Sequence, residues 1–175
     1  MLKVWRKIAL MGLVAIGLAI TFVAATPGRS IAQEIIRHPI PNSTFPIAQA
    51  VEIPTTGTLV YLSGQVPTVT NADADPNSIE AFGDTRTQTI TVLERIDGIL
   101  TSIGLTMSDV VKMQAFLVGD PSMEGAMDFA GFMEGYTQFF GTEEQPNLPS
   151  RSTMQVAGLV NPGWLVEIEV VAVRM

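Results

Sequence analysis

One arginine in the C-terminal part of the chain is suited to bind a small anion. Arg151 follows a proline turn and is the only basic residue between Lys112 and Arg174. A guanidinium binds a carboxylate through two parallel hydrogen bonds, which fix both position and orientation. The next predicted strand carries Glu167 and Glu169 on one face, and a glutamate near a bound substrate could activate a water molecule. We therefore expect a substrate site in which Arg151 lies beside a carboxylate, the alternative being a structural ion pair.

Several other chemistries are excluded by residue type. The chain has no cysteine, which excludes a thiol nucleophile, and its single histidine, His38, lies in the proline-rich entry segment, which disfavours a serine triad with histidine. His38 also has no partner histidine for a metal site. Asp73, Asp75 and Asn77 alternate like the start of a calcium loop, but Pro76 and the lack of the later glycine and glutamate favour a solvated loop. We expect no metal site.

Residues 1–32 differ in composition from the rest of the chain. Three basic residues precede an uncharged, mostly apolar run over residues 8–25, and small residues follow at Ser30 and Ala32. This pattern predicts an export signal that is cut before Gln33. The alternative is a retained membrane anchor, since the apolar run approaches the length of a spanning helix. In either case we expect the folded part outside the cytoplasm, periplasmic or secreted.

The remainder of the chain is acidic. Four of the ten basic residues and none of the 17 acidic residues fall within residues 1–32, which leaves six basic against 17 acidic residues and a net charge of −11. Affinity for nucleic acid depends on lysine and arginine neutralising phosphates, and no basic cluster is present. We therefore expect no nucleic-acid partner.

The periodicity of residues 33–175 predicts one domain with an α+β fold. Residues 33–50 contain three prolines and indicate an irregular segment. The expected strands are 59–64, 110–118, 152–156 and 165–173, and the expected helices are 84–103 and 122–140.

Two of these strands alternate strictly in polarity. The predicted apolar faces comprise Val111, Met113, Ala115 and Leu117 in one strand, and Val166, Ile168, Val170 and Ala172 in the other. Two helices suffice to cover one face of a small sheet. The second face is mixed, which favours a symmetric subunit interface with a site built into it, and a solvated face is the alternative.

Five short motifs occur in a fixed order from about Phe45 to Arg174. They are Ser63-Gly64-Gln65-Val66-Pro67, Asp109-Val110-Val111-Lys112, Tyr136-x-x-Phe-Phe, Pro149-Ser-Arg-Ser-Thr and Val166-Glu-Ile-Glu-Val-Val-Ala-Val. In this order and spacing they resemble the reactive-intermediate deaminase family (RidA/YjgF). No single motif is decisive, but the combination is highly specific.

The resemblance implies a chorismate-mutase-like α+β fold, a mixed sheet with two helices on one face. It implies a homotrimer with sites in the clefts between subunits, which agrees with the mixed second face. It also implies hydrolysis of enamines and imines such as 2-aminoacrylate to 2-keto acids and ammonia, without a cofactor. The partner is then a small imine or keto acid with a carboxylate. A non-catalytic binder of small carboxylates is the alternative, and an endoribonuclease is disfavoured by the charge and the single histidine.

The resemblance also assigns residue roles. Arg151 matches the arginine that binds the substrate carboxylate, and Glu167 matches the glutamate associated with the catalytic water. Ser63 and Gly64 match the strand that lines the pocket.

Three pocket positions depart from the family pattern. Ile47 occupies the place of a tyrosine, Met133 that of an asparagine, and Thr153 that of a residue that is commonly cysteine. One extra residue also lies between Leu159 and Glu167. We therefore expect a more apolar pocket that keeps the carboxylate anchor but has an altered substrate preference.

Overall fold

A six-stranded mixed sheet is the framework of residues 34–175, the part of the chain that the computed structural model describes. Its strands are β1 (Ile36–Pro39), β2 (Ala48–Glu52), β3 (Thr58–Tyr61), β4 (Val110–Val118), β5 (Ser150–Val156) and β6 (Val166–Arg174). They lie in the order β1-β2-β5-β4-β6-β3, with β5 parallel to both of its neighbours and every other pair antiparallel.

The predicted export signal or anchor lies outside the described residues. Among residues 34–175, none of the helices combines the length and the apolar character needed to cross a bilayer.

Two α-helices cover one face of the sheet. The first, α1 (Thr85–Ser102), confirms the predicted helix. The Asp84 carboxylate caps it by accepting a hydrogen bond from the Thr87 amide at 2.8 Å, and Gly104 (φ +73°) lies just beyond its last turn. The second, α2 (Phe129–Tyr136), packs beside α1, and both helices share one apolar core with β4 and β6.

The predicted apolar faces of β4 and β6 are confirmed. Their eight core residues are each at most 2% exposed: Val111, Met113, Ala115, Leu117, Val166, Ile168, Val170 and Ala172. The opposite face of the sheet, which we call the open face, carries half-buried Phe116, Glu167 and Glu169. The open face is therefore the mixed surface that the sequence predicts.

The prediction of an irregular segment over residues 33–50 is wrong, because β1 and β2 form there. Pro39 is the last residue of β1, an edge strand, where a missing amide hydrogen costs no sheet hydrogen bond. Pro41 and Pro46 lie in the loop between the two strands. The prolines therefore bound the strands and do not prevent them.

The second helix is shorter than predicted, since it spans 129–136 and not 122–140. Glu124 (φ +57°) and Gly125 (φ +84°) adopt left-handed backbone conformations that a right-handed helix cannot continue. The helix starts only after them, where the Asp128 carboxylate accepts a hydrogen bond from the Gly131 amide at 2.8 Å.

The β1–β2 hairpin is attached to the sheet through few contacts. A single residue pair, Ala48 with Ser150, joins β2 to β5. Arg37 of β1 adds three hydrogen bonds of 2.7 to 2.9 Å to backbone carbonyls at the start of β4 and before β5, those of Ser108, Val110 and Leu148. Burial lowers the pKa of Arg37.

A fully buried glutamine fixes the start of β6 against α1. The Gln88 side-chain amide donates to the Gly83 and Gly163 carbonyls at 2.8 and 3.0 Å, and its oxygen accepts from the Leu165 amide at 2.7 Å. Since Leu165 directly precedes β6, this side chain positions the strand that carries Glu167.

We predict that Gln88→Leu lowers the free energy of unfolding by about 3 kcal/mol, because it leaves two buried backbone groups and one half-buried group without partners. Urea unfolding followed by circular dichroism measures the change. Gln138→Leu is the matched control at an exposed position, with an expected effect below about 0.5 kcal/mol. Equal effects of the two substitutions would contradict this role of Gln88.

Candidate active site

Arg151 lies on the helix-covered face of the sheet, at the side of the core. It is in register with Met113 of β4, whose side chain is fully buried beneath the helices. The guanidinium carbon lies 4.2 Å from the ring centroid of Tyr136, 5.0 Å from that of Phe132 and 5.5 Å from that of Phe45. Three aromatic faces therefore surround the cation, and each attracts it electrostatically.

The guanidinium has no carboxylate partner within the described residues. Neither of the two ion pairs found among residues 34–175 involves Arg151. Its Nη2 contacts the Met133 sulfur at 3.1 Å, and its Nη1 is buried with no hydrogen-bond partner. Burial lowers the pKa of Arg151, and Tyr136 acts in the opposite direction. The structural ion pair therefore does not form among the described residues, and a bound anion would compensate the buried charge.

Thr153 adds a second unpartnered polar atom to the same strand face. It lies two residues beyond Arg151, so both side chains point towards the helices. Its Oγ1 is buried and has no hydrogen-bond partner. A ligand oxygen could accept from Nη1 of Arg151, and the hydroxyl of Thr153 could bond a second polar atom of the same ligand.

A tyrosine holds the loop before β2 over the arginine. The Tyr136 hydroxyl donates to the Pro46 carbonyl at 2.9 Å. Burial raises the pKa of Tyr136 to about 12, although the positive charge of Arg151 opposes the shift, so the hydroxyl stays a donor at neutral pH. This bond fixes the loop that carries Phe45.

The aromatic stripe of α2 forms a continuous stack that ends at this loop. Ring centroids are 6.4 Å apart for Phe45 and Phe129, 6.1 Å for Phe129 and Phe132, and 5.9 Å for Phe132 and Tyr136. These rings pack into the core and also surround Arg151, which the sequence analysis did not predict. The four-residue spacing of Phe132 and Tyr136 places both on one helix face, which was the available signal.

Glu167 lies on the open face, opposite to Arg151. Arg151 is in register with Met113 of β4, and Glu167 is in register with Phe116 of the same strand. Met113 and Phe116 are three residues apart, so their side chains point to opposite faces of the sheet. Within one chain the structure therefore does not place Arg151 beside Glu167. The expectation of a guanidinium next to a strand glutamate does not hold for a single subunit.

Ser63 and Gly64 accompany Glu167 on the open face. A side chain at Gly64 would collide with the Glu167 carboxylate, so the absence of a Cβ lets that carboxylate rest on the backbone. Gln65 pairs with Ile168 of β6 through two backbone hydrogen bonds of 2.9 and 3.0 Å and thereby holds this motif in place. The predicted site residues thus form two groups: Arg151, Met133 and Thr153 on the helix side, and Ser63, Gly64 and Glu167 on the open face.

Ile47 is the remaining predicted pocket residue. It lines a cavity of about 260 Å³ beside β1, together with Arg37, His38 and Leu148. Its part in the Arg151 site stays a prediction.

The sheet order and the two-helix layer define a chorismate-mutase-like α+β domain, and comparisons with known proteins agree. The solved structure of Escherichia coli TdcF with bound serine matches with a TM-score of 0.53 at 31% identity, over 82% of this chain and 99% of that chain. The structure of the Rid-family protein YyfB from Yersinia pestis matches with a TM-score of 0.56 at 26% identity, over 78% and 96%.

Sequence comparison identifies the family. A family model described as Endoribonuclease L-PSP matches residues 40–174. TdcF of Escherichia coli strain K12 is 35% identical over 134 residues, or 77% of this chain and 91% of TdcF. The 2-iminobutanoate/2-iminopropanoate deaminase of Salmonella typhimurium is 31% identical over 144 residues, or 82% of this chain and 99% of that enzyme. The chain belongs to this family, the RidA/YjgF family that its motifs resemble.

We predict that Tyr136→Phe lowers the free energy of unfolding by about 1 kcal/mol, because the Pro46 carbonyl loses its partner. Chemical unfolding measures the change. Tyr61→Phe, at a residue that is 72% exposed, is the control and should change stability by less than about 0.5 kcal/mol. If the two variants were equally stable, the hydroxyl of Tyr136 would not anchor the loop.

Proposed function

We propose that the protein hydrolyses small imines and enamines that carry a carboxylate, and releases 2-keto acids and ammonia. The observation that carries the proposal is the buried guanidinium of Arg151, which has an unpartnered Nη1 and no carboxylate partner among residues 34–175. Two relatives support it. One is named a 2-iminobutanoate/2-iminopropanoate deaminase, and the structure of another holds serine, a small molecule with a carboxylate.

Hydrolysis of an imine requires mainly that the protein orient the substrate and hold a water molecule next to the imine carbon. Arg151 would bind the carboxylate and so fix the adjacent imine carbon, which is already electrophilic. Water adds to that carbon to give a carbinolamine, which expels ammonia as its C–N bond breaks and leaves the keto acid. An enamine such as 2-aminoacrylate first takes a proton at its terminal carbon from solvent, loses one from its nitrogen to solvent, and so becomes the imine. Glu167 would accept the proton of the water and return it to the departing nitrogen.

We further propose that each site forms between two subunits of a homotrimer. Arg151 and Glu167 lie on opposite faces of one sheet, so one substrate can reach both only if a second copy supplies the glutamate. The half-buried, mixed open face around Glu167 is a suitable surface for such a symmetric contact.

We predict that Arg151→Ala lowers kcat/KM for 2-aminoacrylate by about 100-fold or more, because the carboxylate loses its bidentate anchor. Arg151→Lys keeps the charge but not the fork, and should lose about tenfold. The assay generates 2-aminoacrylate from serine with a dehydratase and follows its disappearance. Arg95→Ala, at an exposed arginine on α1, is the matched control and should retain full activity.

Two other functions give different results in this experiment. A non-catalytic carboxylate binder would bind 2-keto acids through Arg151 but would not accelerate the loss of 2-aminoacrylate. An endoribonuclease would cleave RNA in low salt with a chelator present, which the charge of −11 over residues 33–175 disfavours. No acceleration by the wild-type protein would overturn the deaminase proposal for this substrate.

The position of the site is tested by mixing two inactive variants. Arg151→Ala and Glu167→Gln should each be inactive alone. If a site takes its arginine and its glutamate from adjacent subunits, every mixed trimer regains one of its three sites, so purified mixed trimers should recover about a third of the wild-type activity. Co-expression with two affinity tags yields the mixed oligomers. Activity no higher than that of the separate variants would overturn the placement of the site between two subunits.

A further inference from the structure

The surroundings of Arg151 restrict the side chain of any molecule bound there. Apart from Thr153, the side chains described around the guanidinium are aromatic rings and the thioether of Met133. The Tyr136 hydroxyl is already bonded to the Pro46 carbonyl. A carboxylate would use Nη1 of Arg151, and on this subunit the rest of the ligand would meet apolar surface except at the hydroxyl of Thr153.

Phe45 provides a partly exposed aromatic surface next to the cation. Its side chain is 39% exposed although it stacks on Phe129 with an angle of 18° between the rings. It is also the end of the aromatic stack, and the bond from Tyr136 to Pro46 holds it in place. A ring fixed in this way can stack on an apolar ligand group without further loss of conformational freedom.

Met133 forms an adaptable second wall. Its sulfur is a weak acceptor for Nη2 of Arg151, so a substrate carboxylate, which is a stronger acceptor, displaces it when it binds the guanidinium as a fork. The displaced thioether is unbranched and polarizable, and it packs against irregular apolar shapes and aromatic edges. It offers no strong hydrogen bond to a polar substrate side chain.

We propose that the Arg151 site selects α-imino acids with large apolar side chains, aromatic ones above all, and that Phe45 and Met133 set this selectivity. The inference rests on the proposed deaminase function and names its substrate class. A hydroxyl or carboxamide placed against these walls loses its water without gaining a partner, which disfavours polar substrates by on the order of tenfold or more.

The first experiment measures turnover across a series of imines. An amino acid oxidase generates them from phenylalanine, leucine, alanine and glutamine, and semicarbazide traps what remains. The expected kcat/KM decreases from phenylalanine to leucine to alanine, and the phenylalanine-derived imine should exceed the glutamine-derived imine by about tenfold or more. Equal values, or a preference for the glutamine-derived imine, would overturn the inference.

Two substitutions test the residues that set the selectivity. Phe45→Leu keeps an apolar side chain but removes the ring, and should lower the phenylalanine-to-alanine ratio of kcat/KM by about fivefold. Met133→Gln is nearly isosteric and should shift the ratio of phenylalanine-derived to glutamine-derived imine by about tenfold towards glutamine. Met123→Gln makes the same change at a residue that is 44% exposed in the turn before α2, and should leave both ratios unchanged.

Binding of the 2-keto acid products separates this inference from the proposed activity. Titration calorimetry compares phenylpyruvate with pyruvate, and neither requires turnover. Tighter binding of phenylpyruvate, lost in Arg151→Ala and reduced in Phe45→Leu, would support the selectivity even if no imine were hydrolysed. Equal or tighter binding of pyruvate would overturn the selectivity even if the protein proved to be a deaminase.

Discussion

The two-residue alternation of β4 from Val111 to Val118 is the constraint on which the rest of the domain depends. This strand lies between β5 and β6, and its register with each neighbour assigns every one of their side chains to a face. The same alternation that buries Met113 against the helices directs Arg151 of β5 to the helix side. It directs Glu167 of β6 to the open face, because Glu167 pairs with Phe116. A shift of one residue would exchange core and surface, so the separation of the two functional residues follows from the packing of the core.

The energetic state of Arg151 explains why this position is suited to an anion. A buried cation without a counter-ion is unfavourable, and interaction with aromatic faces offsets only part of the lost hydration. The guanidinium is thus already largely removed from water by the surrounding rings before a ligand arrives. A carboxylate that binds there gains a strong, oriented interaction at little cost in reorganisation. Met133 contacts one terminal nitrogen of the guanidinium, and the other has no hydrogen-bond partner among the described residues. That second nitrogen is available to bind an anion.

Patterns with one dominant physical cause could be predicted from the sequence. The faces of β4 and β6 follow from alternation, and α1 follows from apolar spacing together with the Asp84 cap and the Gly104 stop. β1 and β2 were missed because prolines within a segment were counted against a strand. The cost of a proline in a strand depends on whether its backbone N–H would have donated a sheet hydrogen bond. The short α2 depends on the backbone conformation at Glu124, which residue type alone does not reveal.

The candidate site was predicted in its residues but not in its arrangement. Arg151 stands out because no other basic residue is near it in the sequence, and Met133 and Thr153 do lie on its side of the sheet. Glu167 points to the face of the sheet opposite to Arg151 because of the registers that β5 and β6 each have with β4. That register is set by long-range packing, which local periodicity does not encode.

The attachment of the β1–β2 hairpin gives the site a local stability of its own. One residue pair with β5, three hydrogen bonds from Arg37 and the bond from Tyr136 to Pro46 hold a segment that shares little of the main core. Segments held in this way open as cooperative units at a lower free energy than global unfolding. Such an opening would carry Phe45 away from Arg151 while β4, β5 and β6 stay folded. Amide hydrogen exchange in Ala48–Glu52 is then expected to be faster than in Val110–Val118. The loop that carries Phe45 can therefore move while the central strands of the sheet stay folded.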